Sequence, residues 1–212
     1  MSESRRPANR VRSKRASGSS PTRLPREFYV RPTLEVAPEV LGKYLVYDSP
    51  LGRLSARIVE VEAYIGQDDP ACHASAGLTP RTRPMFGPGG FTYIYFVYGM
   101  YYCLNLVTEP KGQAAAILVR AAEPDEGQSL MSELSKGMRG SELLNGPGKL
   151  CRSFGLTTAQ NELDLTEGTI YLEDRNIVIR NIGQSQRVGI KSGKDRMWRF
   201  YDADSDAVSR TK

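Results

Sequence analysis

The alternation of apolar and polar residues predicts several β-strands, of which the clearest covers residues 58–64, I-V-E-V-E-A-Y. Side chains alternate along a strand, so the apolar residues of this run share a face toward the core: Val59, Val61 and Ala63. The polar residues share the other face: Glu60, Glu62 and Tyr64. Two carboxylates beside a core are costly unless they are hydrated, paired or used. A surface strand of an antiparallel sheet is the simpler explanation, and this pattern alone leaves both open.

Residues 91–105, F-T-Y-I-Y-F-V-Y-G-M-Y-Y-C-L-N, contain five of the eleven tyrosines and predict a β-hairpin. Two strand-like runs flank Gly99, a residue type that tolerates the backbone conformations of tight turns. Tyr98 is therefore expected at the hairpin tip. A large aromatic side chain buries little surface there, so it is either a chance exposure or a wedge for a flat partner.

Weaker patterns predict the remaining elements. A short helix is expected over residues 36–41, with Pro38 in its first turn. Further strands are expected over residues 43–47, 53–64, 114–121, 169–172, 177–180, 187–190 and 198–201. Further helices are expected over residues 129–139 and from Gly146 onward, while residues 79–90 are too rich in proline and glycine for regular structure. Strands, hairpins and helices mixed in this way indicate an α+β fold.

The composition is that of one globular domain. A chain of 212 residues with 40% hydrophobic content is long enough to bury a core. Three distant cysteines, Cys72, Cys103 and Cys151, indicate neither a disulfide framework nor a zinc site, which fits a reducing compartment. The sequence has no run of about 18 apolar residues for a membrane span, and its N-terminus lacks an apolar signal segment. We therefore expect a soluble intracellular protein.

The positive charge is concentrated at the N-terminus. The formal net charge is +5, and residues 1–24 carry seven basic residues and one acidic residue, which leaves −1 for the rest of the chain. This segment contains little to bury, so we predict a disordered basic arm, with an organellar transit peptide as the alternative. In the body, a basic cluster over residues 187–199 either binds phosphates or forms a solvated loop.

Acidic residues close to the only histidine invite a metal-site interpretation: Asp68, Asp69 and His73. Asp69 as a helix N-cap, with Pro70 at the first helical position, explains the same residues more simply. Cys72 and His73 are adjacent and therefore point in different directions, which is poor ligand spacing. We predict no metal at this segment.

Six short motifs occur along the chain in a fixed order. They are E-A-Y with the histidine after it, the hairpin Y-I-Y to Y-G-M-Y, T-P-R-T-R-P-M-F (residues 79–86), I-L-V-R-A-A-E-P (117–124), G-P-G-K-L-C (146–151) and W-R-F-Y (198–201). Together they resemble the alkyladenine (3-methyladenine) DNA glycosylase family over residues 24–209. Two positions depart from the family pattern, Thr82 in place of asparagine and Met197 in place of proline, and they affect positioning rather than chemistry.

The resemblance implies a single domain over residues 25–212, built around a curved antiparallel sheet with flanking helices and a protruding hairpin. It also implies a monofunctional DNA glycosylase of base excision repair. Such an enzyme flips alkylated or deaminated purines, of the 3-methyladenine and hypoxanthine type, out of duplex DNA and hydrolyses the N-glycosidic bond with an activated water. It leaves an abasic site and needs no cofactor. It would act as a monomer on the minor-groove side of double-stranded DNA, in a bacterial cytoplasm or nucleoid or in a nucleus or organelle.

The resemblance assigns the chemistry to a few residues. Glu62 is the expected general base, and Arg120 helps to place the attacking water. Glu60 lies on the same strand face and is the rival, although we expect it to be a surface carboxylate. The residues expected around the flipped base are Tyr64, His73, Tyr95 and Asn105. Asn105 would reject guanine through its bulk, unless its amide only satisfies the backbone.

The resemblance also implies how DNA is held. Tyr98 is expected to enter the minor groove and fill the gap left by the flipped nucleotide. Contacts to the DNA backbone are expected from basic residues: Lys149, Arg187, Lys191, Lys194 and Arg196.

Two other classes of protein remain as alternatives. A non-catalytic nucleic-acid binding module would also present tyrosines for stacking, but it has no use for a glutamate among them. A metal-dependent nuclease or hydrolase would use the acidic pair at residues 68–69 and lose activity to a chelator. Monofunctional chemistry is expected because no lysine falls in the predicted pocket segments, and a Schiff base needs an amine.

The basic arm generates the first testable prediction. If the arm touches about three or four phosphates, deletion of residues 1–24 flattens the slope of log affinity against log salt by about 0.9 per contact. Base release at saturating enzyme stays unchanged, because the arm lies outside the domain. Binding titrations at several salt concentrations measure the slope, and an unchanged slope would show that the arm does not contact DNA.

Overall fold

One antiparallel sheet organises residues 21–209, the part of the chain that the computed structural model describes. Its strands are β1 (Thr22–Arg23), β2 (Tyr44–Ser49), β3 (Gly52–Ile65), β4 (Thr92–Val97), β5 (Tyr101–Val107), β6 (Ala115–Pro124), β7 (Ile170–Asp174), β8 (Ile182–Ser185) and β9 (Arg199–Asp202). The α-helices are α1 (Arg26–Tyr29), α2 (Thr33–Val40), α3 (Gln128–Leu134) and α4 (Pro147–Ser153). Short 3₁₀ helices lie at His73–Ala76, Arg83–Phe86, Gly140–Leu143 and Thr158–Gln160. No helix within residues 21–209 is long and apolar enough to cross a membrane.

The sheet is open, with the strand order β1-β7-β2-β3-β6-β5-β4, while β9 pairs with β3 and carries β8 at its side. The pairings between these strands are antiparallel. Strands β4 and β5 form the predicted hairpin, with Val97 opposite Tyr101 at its end. The α+β class and the antiparallel sheet are therefore confirmed.

The 14-residue strand β3 contains a β-bulge that changes which face its side chains occupy. The first half of β3 pairs with β2, and the part beyond the bulge pairs with β9. The register against β6 shifts between Ile58 and Val61. An inserted residue of this kind disturbs the alternation of side chains. Strict alternation predicts that Val59 shares the core face with Val61 and Ala63. Because of the bulge, Val59 instead packs against Ala207 in a separate cluster.

The main core lies between the sheet and helices α2, α3 and α4. It contains apolar side chains of the helices and of the central strands: Val36, Val40, Met131, Leu150, Phe154, Leu45, Leu54, Val61, Leu104 and Ile117. Helix α2 begins three residues earlier than predicted and contains Pro38 in its interior. The carboxylate of Glu109 accepts hydrogen bonds from the backbone N–H and the hydroxyl of Thr33. A carboxylate stabilises a helix N-terminus, and this one comes from a distant segment that local patterns do not reveal.

On the other face of β4 and β5, residues of the segment 66–91 pack with strand residues in a second apolar cluster: Cys72, Ala74 and Met85 with Tyr93, Val107, Ala114 and Ala116. The loop predicted over residues 79–90 is ordered and contains one 3₁₀ turn. The Thr82 hydroxyl accepts from the Thr79 N–H at 2.8 Å and donates to the Gly77 carbonyl at 2.9 Å. Thr82 therefore ties this loop together through its own hydroxyl. The three cysteines are buried and unpaired.

The last third of the described chain differs most from prediction. Residues 177–180 and 187–190 form no strand, whereas β8 lies between them and pairs with β9. Helix α3 ends well before residue 139, because Lys136 and Gly137 take positive φ values just beyond it. Short segments of this kind have little internal periodicity, so contacts with distant strands decide their structure.

Residues before the predicted domain boundary at residue 25 already belong to the sheet. Thr22 and Arg23 pair with β7, and Leu24 is buried. The remainder of the predicted arm, residues 1–20, lies outside the described residues. A deletion that tests the arm should therefore stop at residue 20, so that it leaves β1 intact.

Candidate active site

A cleft of about 430 Å³ opens on the face of the sheet opposite the main core. Its walls carry all of the residues predicted to surround a base, together with the predicted wedge and Arg120: Tyr64, His73, Tyr95, Asn105, Tyr98 and Arg120. The neighbours of these residues along the strands, such as Ile94 and Leu104, belong to the main core. The period-two alternation of β4 and β5 therefore separates pocket from core. Residues 188–192, in the loop after β8, also line the cleft.

Glu62 is fully buried directly behind three residues that line the cleft, Tyr64, Arg120 and Val188. One carboxylate oxygen accepts from the backbone N–H of Val188 at 2.6 Å. The other accepts from the Tyr64 hydroxyl at 2.8 Å and from Arg120 Nη1 at 3.3 Å. Burial, and after it the Glu62 charge, raise the pKa of Tyr64 far above its ordinary value, so the phenol remains a donor. Three donors converge on one side chain, an arrangement that suits an ionised carboxylate.

Glu60 is also fully buried, so its predicted place at the surface is wrong. Its carboxylate accepts hydrogen bonds from Arg120 Nε at 2.8 Å, from Arg199 Nε at 2.7 Å and from Ser209 at two atoms. Burial alone would raise the pKa of Glu60, but Arg120, Arg199 and Ser209 outweigh it and lower the pKa below its usual range. The two carboxylates of β3 are therefore buried and paired, because Ser209 reaches Glu60 and Val188, in the loop after β8, reaches Glu62.

The aromatic wall of the cleft is built from His73 and two tyrosines of β4. The ring of His73 packs edge-on against Tyr95, with centroids 4.4 Å apart, and its Nδ1 is hydrogen-bonded to the Tyr93 hydroxyl at 2.9 Å. Burial lowers the pKa of His73 to about 4, and the positive charge of Arg81 acts in the same direction. His73 is therefore neutral at neutral pH. Tyr64 of β3 also lines the cleft.

Asn105 and Tyr98 mark the bottom and the rim of the cleft. Asn105 is buried, and its Nδ2 donates to the backbone carbonyl of Tyr93 at 3.0 Å, so the backbone role considered above is present. Tyr98 is 81% exposed at the hairpin tip. Tyr98 and Gly99 both take positive φ, as in the tight turns that suit a right-twisted hairpin. Such a φ is uncommon for tyrosine, and the turn keeps its ring away from the core.

Asp69 and Arg187 form a buried ion pair, and this overturns two predictions. Arg187 donates to both Asp69 oxygens, at 2.5 and 2.7 Å, and to the Ala63 carbonyl at 2.9 Å. Both side chains are fully buried, so the prediction that Arg187 contacts the DNA backbone is wrong. Asp69 is not a helix N-cap either, because a turn rather than a helix follows it. The Arg187 guanidinium lies 4.6 Å from the Tyr64 ring centroid and so supports the pocket wall.

The other predicted backbone contacts differ in their surroundings. Lys191 and Lys194 are exposed, whereas Lys149 donates to Asn145 at 2.8 Å. Arg196 donates to the Asp68 carbonyl and lies over the Trp198 ring. Lys191 also lines the cleft, so the expectation of a pocket without lysine is wrong. The sequence places Lys191 only at the DNA surface. The ion pair between Asp69 and Arg187 brings the loop that carries Lys191 close to β3, and the sequence pattern does not reveal this pair.

Several site residues escaped the sequence analysis: Tyr93, Val188, Arg199 and Ser209. Val188 acts through its backbone N–H, which no side-chain pattern reports. Tyr93 shares the strand face of Tyr95, and that alternation was a usable signal. Within residues 21–209, no group of three histidine, cysteine or acidic side chains is placed to hold a metal ion.

Comparison with known proteins gives one consistent result. A family model described as methylpurine-DNA glycosylase matches residues 27–206. A protein of Methanocella arvoryzae is 52% identical over 192 residues, covering 88% of this chain and 96% of that protein. Proteins of Wolbachia sp. subsp. Brugia malayi (47% over 177 residues; 84% and 95%) and Desulfitobacterium hafniense (45% over 199 residues; 88% and 98%) are similar. All three are named "Putative 3-methyladenine DNA glycosylase".

The lowered pKa of His73 predicts how stability depends on pH. The unfolded chain has an ordinary histidine pKa of about 6.5, so between about pH 6.5 and 4 the unfolded state binds more protons than the folded state. The stabilisation is complete above that window and is lost as the pH falls through it. His73→Gln removes this dependence, and because the chain has one histidine no second imidazole replaces it. Urea unfolding midpoints at about pH 7 and pH 5 measure the effect, and equal pH dependence in both proteins would contradict it.

Proposed function

Because the chain belongs to the methylpurine-DNA glycosylase family, a family of DNA repair hydrolases, we propose how it acts on its DNA substrate. It flips a damaged purine out of the duplex and hydrolyses the N-glycosidic bond with a water activated by Glu62. The observation that carries this proposal is the position of Glu62, buried behind an aromatic cleft and held by Tyr64, Arg120 and Val188. The substrates are alkylated or deaminated purines of the 3-methyladenine and hypoxanthine type.

The cleft suits a flat, electron-poor base. The flipped base lies between Tyr64 on one side and the His73–Tyr95 pair on the other, all of which line the cleft. Alkylated purines carry positive charge, and a desolvated cation against aromatic faces gains roughly 2 kcal/mol. Neutral His73 adds no competing charge. Asn105 at the bottom of the cleft limits the room for the exocyclic amine of guanine.

The water is activated where Glu62 meets Arg120. Of the three hydrogen bonds to Glu62, the one from Arg120 is the longest at 3.3 Å, so it is the contact that gives way most easily to a water. The water then donates its proton to Glu62 as its oxygen attacks the anomeric carbon. Arg120 lines the cleft and holds the oxygen. The base leaves, an abasic site remains and the strand stays intact, since Glu62 rather than the exposed amine of Lys191 drives the reaction.

Tyr98 fills the gap that the flipped nucleotide leaves. Its ring is exposed at the tip of the β4–β5 hairpin and also borders the cleft. A single orientation of the protein on DNA therefore places Tyr98 in the duplex and the flipped base in the cleft. Entry from the minor groove offsets part of an unstacking cost of a few kcal/mol. Lys191 and Lys194 are exposed, Lys149 and Arg196 are partly exposed, and these four residues contact the phosphates of the DNA backbone. The protein acts as a monomer.

Glu62→Gln tests the base directly. Glutamine keeps the size of the side chain but cannot accept a proton, and a general base contributes about 100- to 10,000-fold in rate. Binding of lesion duplex should stay close to wild type while single-turnover base release falls by that order. The matched control is Glu123→Gln, since Glu123 pairs with Arg57 away from the cleft. Normal excision by Glu62→Gln would reject Glu62 as the base, whereas binding without base release by the wild-type protein would favour a non-catalytic stacking module.

Tyr98→Ala tests the wedge. Loss of the ring should weaken binding to lesion duplex and slow excision from duplex DNA more than from single strands, where no gap has to be filled. Tyr98→Phe retains the ring and serves as the control that should behave like wild type. Excision assays on both substrates under single-turnover conditions give the comparison. Equal losses on duplex and single strands would mean that Tyr98 does not act as a wedge.

A further inference from the structure

The hydrogen bonds of Glu60 leave it no freedom to act as a base. Its Oε1 accepts from Arg120 Nε at 2.8 Å, Arg199 Nε at 2.7 Å and the Ser209 hydroxyl at 2.7 Å. Its Oε2 accepts from the Ser209 N–H at 2.6 Å. Four donors therefore surround a carboxylate that water does not reach. Its effect on the reaction must pass through the groups that it holds.

Arg120 is the group through which Glu60 reaches the cleft. Its Nε donates to Glu60, its Nη1 to Glu62 at 3.3 Å and its Nη2 to the Ser209 hydroxyl at 3.3 Å. A guanidinium is planar, so fixing two of its nitrogens fixes the direction of the third. Glu60 and Ser209 thus set the angle at which Arg120 meets Glu62.

The segment that carries Ser209 is anchored by packing as well as by hydrogen bonds. Ala207 is buried in a small cluster with Val59 and Ala121, and Val208 packs against it. Val59 reaches this cluster because of the bulge in β3. The bulge in β3 therefore gives residues 207–209 an apolar contact at Val59, and this contact holds Ser209 next to Arg120.

We propose that Glu60 and Ser209 are positioning residues for the reaction, which hold Arg120 against Glu62 and make the segment at residues 207–209 part of the catalytic apparatus. This inference rests on the proposed function. The pairing also has an electrostatic effect, because Arg120 shares its charge between two carboxylates. The other charged or titratable groups around Glu62 are Tyr64 on its own strand, Cys103 on β5 and Arg187 in the loop after β8.

Ser209→Ala and Glu60→Gln test the inference. Glutamine would turn N–H groups toward the donors around Glu60, so Arg120 loses its fixed angle, and a misplacement of about 1 Å costs on the order of 100-fold in rate. Ser209→Ala keeps both charges and should slow base release by about tenfold, through loss of a hydrogen bond to a charged group. Affinity for lesion duplex should remain unchanged in both. Both variants should therefore lower the single-turnover rate without changing the dissociation constant for lesion duplex, a split that general loss of structure would not produce.

The chain offers a matched pair of controls. The Ser205 hydroxyl donates to the Glu123 carboxylate at 2.6 Å, in the same segment and with the same chemistry, but this pair joins Arg57 instead of Arg120. Ser205→Ala and Glu123→Gln should therefore keep the wild-type rate of base release. Any general effect of loosening the C-terminal segment would appear in these controls too.

The outcomes separate this inference from the function on which it rests. If Glu60→Gln fails to fold, Ser209→Ala decides. A wild-type rate of base release in Ser209→Ala, with Glu62→Gln inactive, would overturn the positioning role and leave the base assignment standing. Equal losses in Ser209→Ala and Ser205→Ala would also overturn it, because the effect would then be structural. If the wild-type protein releases no base from lesion duplex, the proposed function fails and the inference falls with it.

Discussion

Two carboxylates and two guanidinium groups buried beside the bulge of β3 are the constraint on which the site depends. Glu60 and Glu62 balance Arg120 and Arg199, so the cluster as a whole is neutral. Removing one member of such a cluster leaves an uncompensated buried charge, which costs about 3–5 kcal/mol. Strands β3, β6 and β9 must therefore meet in one register. The same requirement delivers Glu62 to the cleft with its donors already in place.

The ion pair of Asp69 and Arg187 fixes the other side of the cleft. Arg187 joins the end of β3 to the loop after β8 and lies beneath the Tyr64 ring. The next residue, Val188, then reaches Glu62 with its backbone N–H. Two buried charge clusters thus position one stacking ring and one carboxylate, and the exposed rim is left to bind DNA. Rigid supports of this kind favour a site that is formed before the substrate arrives.

The parts that could be predicted from sequence are those with strong local signals. The hairpin, its tip at Tyr98 and the tyrosines on the pocket face follow from alternation and a turn residue. The family resemblance of the six motifs predicted that Glu62 and Arg120 belong to one site. The burial of Glu60 and the partner of Asp69 could not be predicted, because Ser209 and Arg187 come from more than a hundred residues away. Val59 changed face because a bulge interrupts the period, and bulges leave little trace in a single sequence.

The most direct test of the whole scheme is the release of free base from a duplex that contains hypoxanthine or 3-methyladenine, incubated with the full chain in the presence of EDTA. Free base should appear at the same rate with and without the chelator, and the DNA strand should stay intact until alkali is added. Loss of activity in EDTA would point to a bound metal, and strand cleavage without alkali would point to an amine such as Lys191. Binding without release of base would contradict hydrolysis by a carboxylate-activated water.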